Sequence, residues 1–205
     1  MIIDLDTGLW IWRVPHPDWE PGEWGDRVVT SVCVEEGGET AVLDALAPAP
    51  GHEAWSRLDT RPPTLAVVLK PDHVRSVDLF VDRYGIPAYG PDMFHKGDVP
   101  ESDLELIYPG YVLPGGLTAL HDGRGRNETP LWLPEHRTIV FSDALTTFGG
   151  RLQVWWTPWH TERALPALRA MLELPFERII ISHGEPVHTR HDFEQALDLD
   201  PIRVD

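Results

Sequence analysis

The sequence predicts an α/β protein, a four-layer αββα sandwich in which two mixed β-sheets pack face to face with helices outside. Three observations carry that expectation. Short β-rich runs open each half of the chain, helical patterns close each half, and several of the runs are continuous and apolar, as strands buried on both faces are. At 205 residues and 42% hydrophobic content, the chain can bury such a core as one domain, residues 1–205.

Taken in order, GLWIWRV near the start reads as a strand. VVTSVCVEE (residues 28–36) and TAVLDAL (residues 40–46) are β-rich and separated by Gly37-Gly38, a hairpin signal. APAPG and RPP bracket a short helix at residues 52–59. TLAVVL (residues 64–69) has the continuous apolar character of a buried strand. Asp72 then offers a helix N-cap and Gly85 a stop, with Val74, Val77, Val81 and Tyr84 at helical spacing between them. IPAY follows as the next strand, so the middle of the chain reads as a parallel crossover unit. LELIY, LTALHDG, PLWLPE and TIVFSDAL are further strands, with a hairpin turn at LPEH, and QVWW is another. Residues 162–174 form a helical pattern with Leu165, Leu168 and Met171 or Leu172 on one face. RIII is a buried strand ending in SHGEP, and HDFEQALDL closes the chain as a helix.

The net charge of −16 disfavours nucleic acid and anionic lipid as partners. No apolar run reaches the ~20 residues of a membrane span, and the first residues carry acids rather than a basic leader. Cys33 is the single cysteine. A cytoplasmic location is therefore expected, with Cys33 buried and inert. Of seventeen basic residues only Lys70 and Lys96 are lysines, which draws attention to Lys70.

Three apolar strands end in residues able to hold a metal. Asp72 and His73 follow VVLKP, Asp143 follows TIVFS, and His183 follows RIIIS. Carboxylate and neutral imidazole suit a borderline cation such as zinc. Each residue alone also has a plainer role, Asp72 as a cap, Asp143 as a loop start, His183 as a structural histidine. The chain contains neither GxSxG nor a Walker sequence. HDGRGRNE has two glycines and two arginines before a strand and reads as an exposed loop or a weak anion site.

In this order of motifs the chain resembles the metallo-β-lactamase fold superfamily, mostly zinc- or iron-dependent hydrolases. The resemblance spans residues 28–187: a strand ending in Asp44 (VLDAL), then strand and Asp-His, strand and Ser-Asp (FSDAL), strand and His-Gly (ISHGEP). The superfamily's main motif is His-x-His-x-Asp-His. Setting it on Asp72-His73 implies Val68 at the first histidine and Lys70 at the second. The superfamily's later histidine falls at Arg124, with His121 three residues away. Asp143 matches the bridging aspartate, with Ser142 in place of a glycine, and His183 matches the last histidine. The resemblance thus implies that one of two metal sites is gone and that Asp72, His73, Asp143 and His183 retain the other.

What this implies is a hydrolase using one divalent ion (zinc, or else manganese or iron) to activate water. The alternative is a pseudoenzyme without an ion that keeps the fold to bind a small molecule or a partner, a second copy of the chain being one such partner. Emptying half of the site strands Asp72 and Asp143, and buried carboxylates without partners are costly. Lys70 is the expected replacement, either neutralising the pocket or, with Asp72, serving catalysis by taking a substrate oxyanion. Arg124, His121 and His160 join Lys70 as the expected substrate-facing residues.

Overall fold

The structure, a computed structural model, describes residues 1–20, 27–124 and 128–203. Parts of the tryptophan-rich stretch after His16 and of the HDGRGRNE loop (residues 21–26 and 125–127) lie outside the described residues. The first half of the chain forms a seven-stranded sheet in chain order: β1 (Ile2–Asp6), β2 (Leu9–Pro15), β3 (Val28–Glu36), β4 (Glu39–Leu43), β5 (Leu65–Val67), β6 (Ala88–Gly90) and β7 (Leu104–Leu106). Neighbours are antiparallel as far as β4 and parallel from β4 onward. The first two parallel steps run through α1 (Glu53–Thr60) and α2 (Val77–Tyr84), and the step from β6 to β7 through a loop without a helix.

The second half contributes β8 (Thr118–Ala119), β9 (Leu131–Leu133), β10 (Thr138–Val140), β11 (Leu145–Phe148), β12 (Arg151–Val154), α3 (Leu165–Ala170), β13 (Arg178–Ile180), β14 (Val187–Thr189) and α4 (Arg190–Ala196). Five of these strands form the second sheet, in the order β14-β13-β10-β9-β8, and β11 with β12 makes a separate hairpin. β10 and β13 run parallel.

Period-two alternation sorts the side chains into layers. Ala41, Leu43, Leu65 and Val67 face Leu131, Leu133, Val140 and Ile180 across the gap between the sheets. Val42, Ala66 and Val68 point outward to Ala54, Leu58 and Phe80 of α1 and α2. Trp132, Ile139, Phe141, Ile179 and Ile181 meet Leu168 of α3, with Phe193 and Ala196 of α4, on the opposite outer face. The result is the αββα sandwich. Among the described residues, no helix is long and apolar enough to cross a membrane.

Several boundaries differ from the sequence reading. Gly37 and Gly38 do turn the β3–β4 hairpin, both at positive φ (55° and 88°). The helix expected from Asp72 begins only at Val77, and its N-cap position is Ser76. Arg75, at φ 50°, interrupts any helix running from Asp72. Residues 70–73 instead close their own turn through the His73 N–H to the Lys70 carbonyl (3.0 Å). The helix expected over residues 162–174 is divided into a π-helical turn (His160–Ala164), α3 and a 3-10 turn (Met171–Glu173). Gly123 abuts this π turn: at φ 72°, an added Cβ would come 2.3 Å from the Arg163 carbonyl. The strands β11 and β14 are short and carry little apolar alternation, whereas β1 alternates from Ile3 to Asp6 but is only partly buried.

Candidate metal centre

The loops that leave β5, β10 and β13 open at one end of the sandwich. Because β10 and β13 are parallel neighbours in register, the residues that follow them emerge side by side. The Phe141 N–H still bonds to Ile180 O at 2.9 Å, and two residues further Asp143 and His183 face each other. His73 reaches the same point from the other sheet. Among the described residues, His73, Asp143 and His183 are the group whose ligand atoms lie close enough to hold an ion, all within 4.8 Å of one another. Asp143 Oδ1 stands 3.4 Å from both His73 Nε2 and His183 Nε2. That oxygen is buried and makes no hydrogen bond, as is His183 Nδ1. A buried carboxylate oxygen without a hydrogen bond, lying between two imidazole nitrogens, is a donor set that would suit a divalent metal ion.

Asp44 orients the His73 ring. It ends β4 at φ 44°, a left-handed conformation held by bonds on both sides: its N–H donates to Val67 O (2.9 Å), and its Oδ1 accepts the Leu69 N–H (2.7 Å). Asp44 Oδ2 accepts from His73 Nδ1 (2.8 Å) and from the Ser142 hydroxyl. One carboxylate thereby ties the two sheets together and leaves Nε2 of His73 as the outward-facing nitrogen. Arg75 braces the same corner by donating from Nη1 to Thr30 O (2.9 Å) and to Asp44 O.

Lys70 occupies the other half of the pocket. Its side chain is only 6% exposed, and Nζ lies 2.7 Å from Asp143 Oδ2 while also pairing with Asp72. Asp143 therefore divides its oxygens, one to an ammonium and one to two imidazoles. Burial works against the charged Lys70, but Asp143 and Asp72 outweigh it and hold its pKa above the usual value. Burial likewise opposes ionisation of Asp143, yet His73, His183 and Lys70 hold its carboxyl well below the usual range.

The two histidines are driven apart. Burial disfavours a charged His73, but the Asp143 and Asp44 carboxylates overcome it and raise the ring to about 9. Burial, with the neighbouring His73, Arg75 and Lys70, lowers His183 to about 4 against the pull of Asp143. For His73 the folded pKa exceeds the unfolded one, so its contribution to stability is full below about pH 6.5 and is lost as pH rises through about 9. In metal-free protein the expected loss over that window is about 3 kcal/mol. Denaturant melts of wild type and His73→Gln from pH 6 to 9.5 test this. A wild-type slope in that range as shallow as the variant's would refute it.

The other sequence candidates are placed differently. Asp72 lies at the rim, 39% exposed and bound to Lys70, outside the His73–Asp143–His183 group. Val68 packs in the outer apolar layer with the helices. Arg124 is buried, with Nη1 3.3 Å from Glu128 Oε2. His121 is exposed, and His160 begins the π turn half-buried. Sequence reasoning did not select Ser142, Arg75 or Glu128. The only sequence signal for Asp44 is its place as an acid at a strand end.

No family model and no curated protein matches the sequence. Solved structures do match. A metallo-beta-lactamase from Pontibacter korlensis aligns with TM-score 0.67 at 15% identity, covering 97% of this chain and 97% of that one. A metallo-beta-lactamase from Pseudomonas aeruginosa in a mono-zinc form gives 0.69 at 18% identity, covering 97% and 93%. One from Hirschia baltica gives 0.67 at 15%, covering 100% and 99%. The chain is an αββα protein with a histidine–carboxylate cluster at one end of its sheets. It has the metallo-β-lactamase fold, in a divergent version.

Proposed function

We propose that the protein is a hydrolase working with one divalent ion, zinc before manganese or iron, held by His73, Asp143 and His183. The observation that carries this reading is the divided carboxylate of Asp143, whose Oδ2 is satisfied by Lys70 while Oδ1 faces two imidazoles without a hydrogen bond. A divalent ion there would supply Lewis-acid polarisation and a lowered pKa for water. The chain's own residues do the rest. Asp44 fixes the His73 ring, and Lys70 holds Asp143 and Asp72 in place. The Lys70 ammonium is the group positioned to stabilise negative charge developing on a substrate oxygen. Asp72, the more exposed partner of Lys70, is positioned to take a proton at the rim. A small uncharged or cationic molecule suits so acidic a chain better than nucleic acid does.

A second reading, a pseudoenzyme, is favoured by one observation: Lys70 already neutralises Asp72 and Asp143 without any ion. Elemental analysis after zinc reconstitution separates the two, together with hydrolysis assays on activated esters, thioesters, lactones and lactams. One ion per chain with turnover lost in His183→Ala supports the hydrolase. Two tightly bound ions overturn the one-ion site, and none under any condition supports the pseudoenzyme.

A further inference from the structure

Beneath Asp143 lies a second set of buried charges that the proposed chemistry does not touch. β10 ends at Val140 and β11 begins at Leu145, so the backbone between them must find partners outside its strands. Phe141 uses Ile180 O. The next three amides all turn to one side chain. Glu128 Oε1 accepts the N–H groups of Ser142 and Ala144, each at 3.1 Å. Glu128 Oε2 accepts the Asp143 N–H at 3.1 Å and Arg124 Nη1 at 3.3 Å.

The pair is fully internal, with the two side chains 1% and 0% exposed. Both carboxyl oxygens face only donors in these four contacts, a pattern that suits the charged form, since a proton on either oxygen would oppose a donor. Against that, burial, with Asp122 and Asp143 nearby, pushes the Glu128 carboxyl up to about 7 despite the pull of Arg124, and the clamp rests on the four contacts themselves. Arg124 is itself fixed, because its N–H donates to Asp122 Oδ1 (3.0 Å) and its loop is pressed against the π turn at Gly123.

We propose that Glu128, held by Arg124, is a positioning residue for Asp143. It gathers the backbone of residues 142–144 so that one oxygen of Asp143 meets His73 and His183 while the other meets Lys70. This rests on reading the three residues as an ion site, but the clamp belongs to the metal-free chain and can be measured there. A carboxylate ligand on an irregular loop is only as well aimed as the groups that hold its backbone.

The variant Glu128→Gln keeps the shape and removes the charge, leaving Arg124 stranded. The double variant Arg124→Met/Glu128→Gln removes both charges and serves if the single change unfolds. Amide hydrogen exchange on metal-free protein is the first readout. The Ser142, Asp143 and Ala144 amides should exchange roughly tenfold faster or more, while amides of β4 and β13 stay at their wild-type rates. Zinc titration is the second, with affinity expected to fall roughly tenfold or more. If the three amides keep their wild-type rates, or if every core amide accelerates equally, Glu128 does not position this loop. Unchanged zinc affinity would equally overturn the proposal. Should wild-type protein bind no zinc, the ion reading fails, and the exchange data alone decide whether the clamp exists.

Discussion

Lys70→Met should destabilise the metal-free protein by about 3–5 kcal/mol, the range for stranding one partner of a buried pair. An exposed ion pair would lose only ~0–1 kcal/mol. The larger value follows from burial: Lys70 is 6% exposed, and its loss leaves Asp143 beside histidines of which only His73 carries charge near neutral pH. Lys96, the other lysine, is exposed and is the natural control. Lys70→Met/Asp143→Asn should recover part of the loss, because the more buried carboxylate is then gone and only Asp72, 39% exposed, is left without its cation. Urea melts at one pH suffice to measure this. If Lys70→Met melts at the midpoint of Lys96→Ala, the ammonium contributes no more than a surface charge does.

The second large effect concerns metal affinity. His183→Ala removes one of the three proposed ligands and should abolish measurable zinc binding, whereas Asp44→Asn acts at one remove. The asparagine can still accept from the His73 ring but no longer raises its basicity, and losses of about 10–100-fold are typical for such supporting carboxylates. Affinity should also depend on pH. Bound metal needs a neutral His73, and its proton must leave a ring whose pKa stands at about 9. Apparent zinc affinity should therefore climb from pH 6 towards 9. Isothermal titration across that range checks both points. A flat pH profile would show that His73 is not a ligand, and wild-type affinity in Asp44→Asn would remove its supporting role.

Where sequence and structure agree, the agreement has a local cause. TLAVVL and RIII are apolar enough to be strands in any context, and Gly37-Gly38 supplies the two left-handed residues of a tight hairpin. Asp143 and His183 could be noticed because each follows such a run. Where they disagree, the cause is non-local. Nothing near Asp72 reveals that Arg75 takes a positive φ, since that conformation is stabilised by the Thr30 and Asp44 carbonyls, both far along the chain. Asp72 therefore reads as a helix cap yet pairs with Lys70.

By itself the sequence determined the layers, through alternating and continuous apolar strands, and the two lysines that made Lys70 conspicuous. It also determined that positions 68, 70 and 124 carry no histidine. Only the tertiary structure decided which carboxylates face which cations. Asp44 meets His73 and Ser142 across the two sheets, Glu128 meets the three amides after β10, and Asp143 parts its oxygens between Lys70 and the imidazoles. The physical reason is that a charge is settled by what stands within a few ångströms of it, and burial raises the penalty for any other arrangement. Those neighbours come from different strand ends, which adjoin only once both sheets have packed.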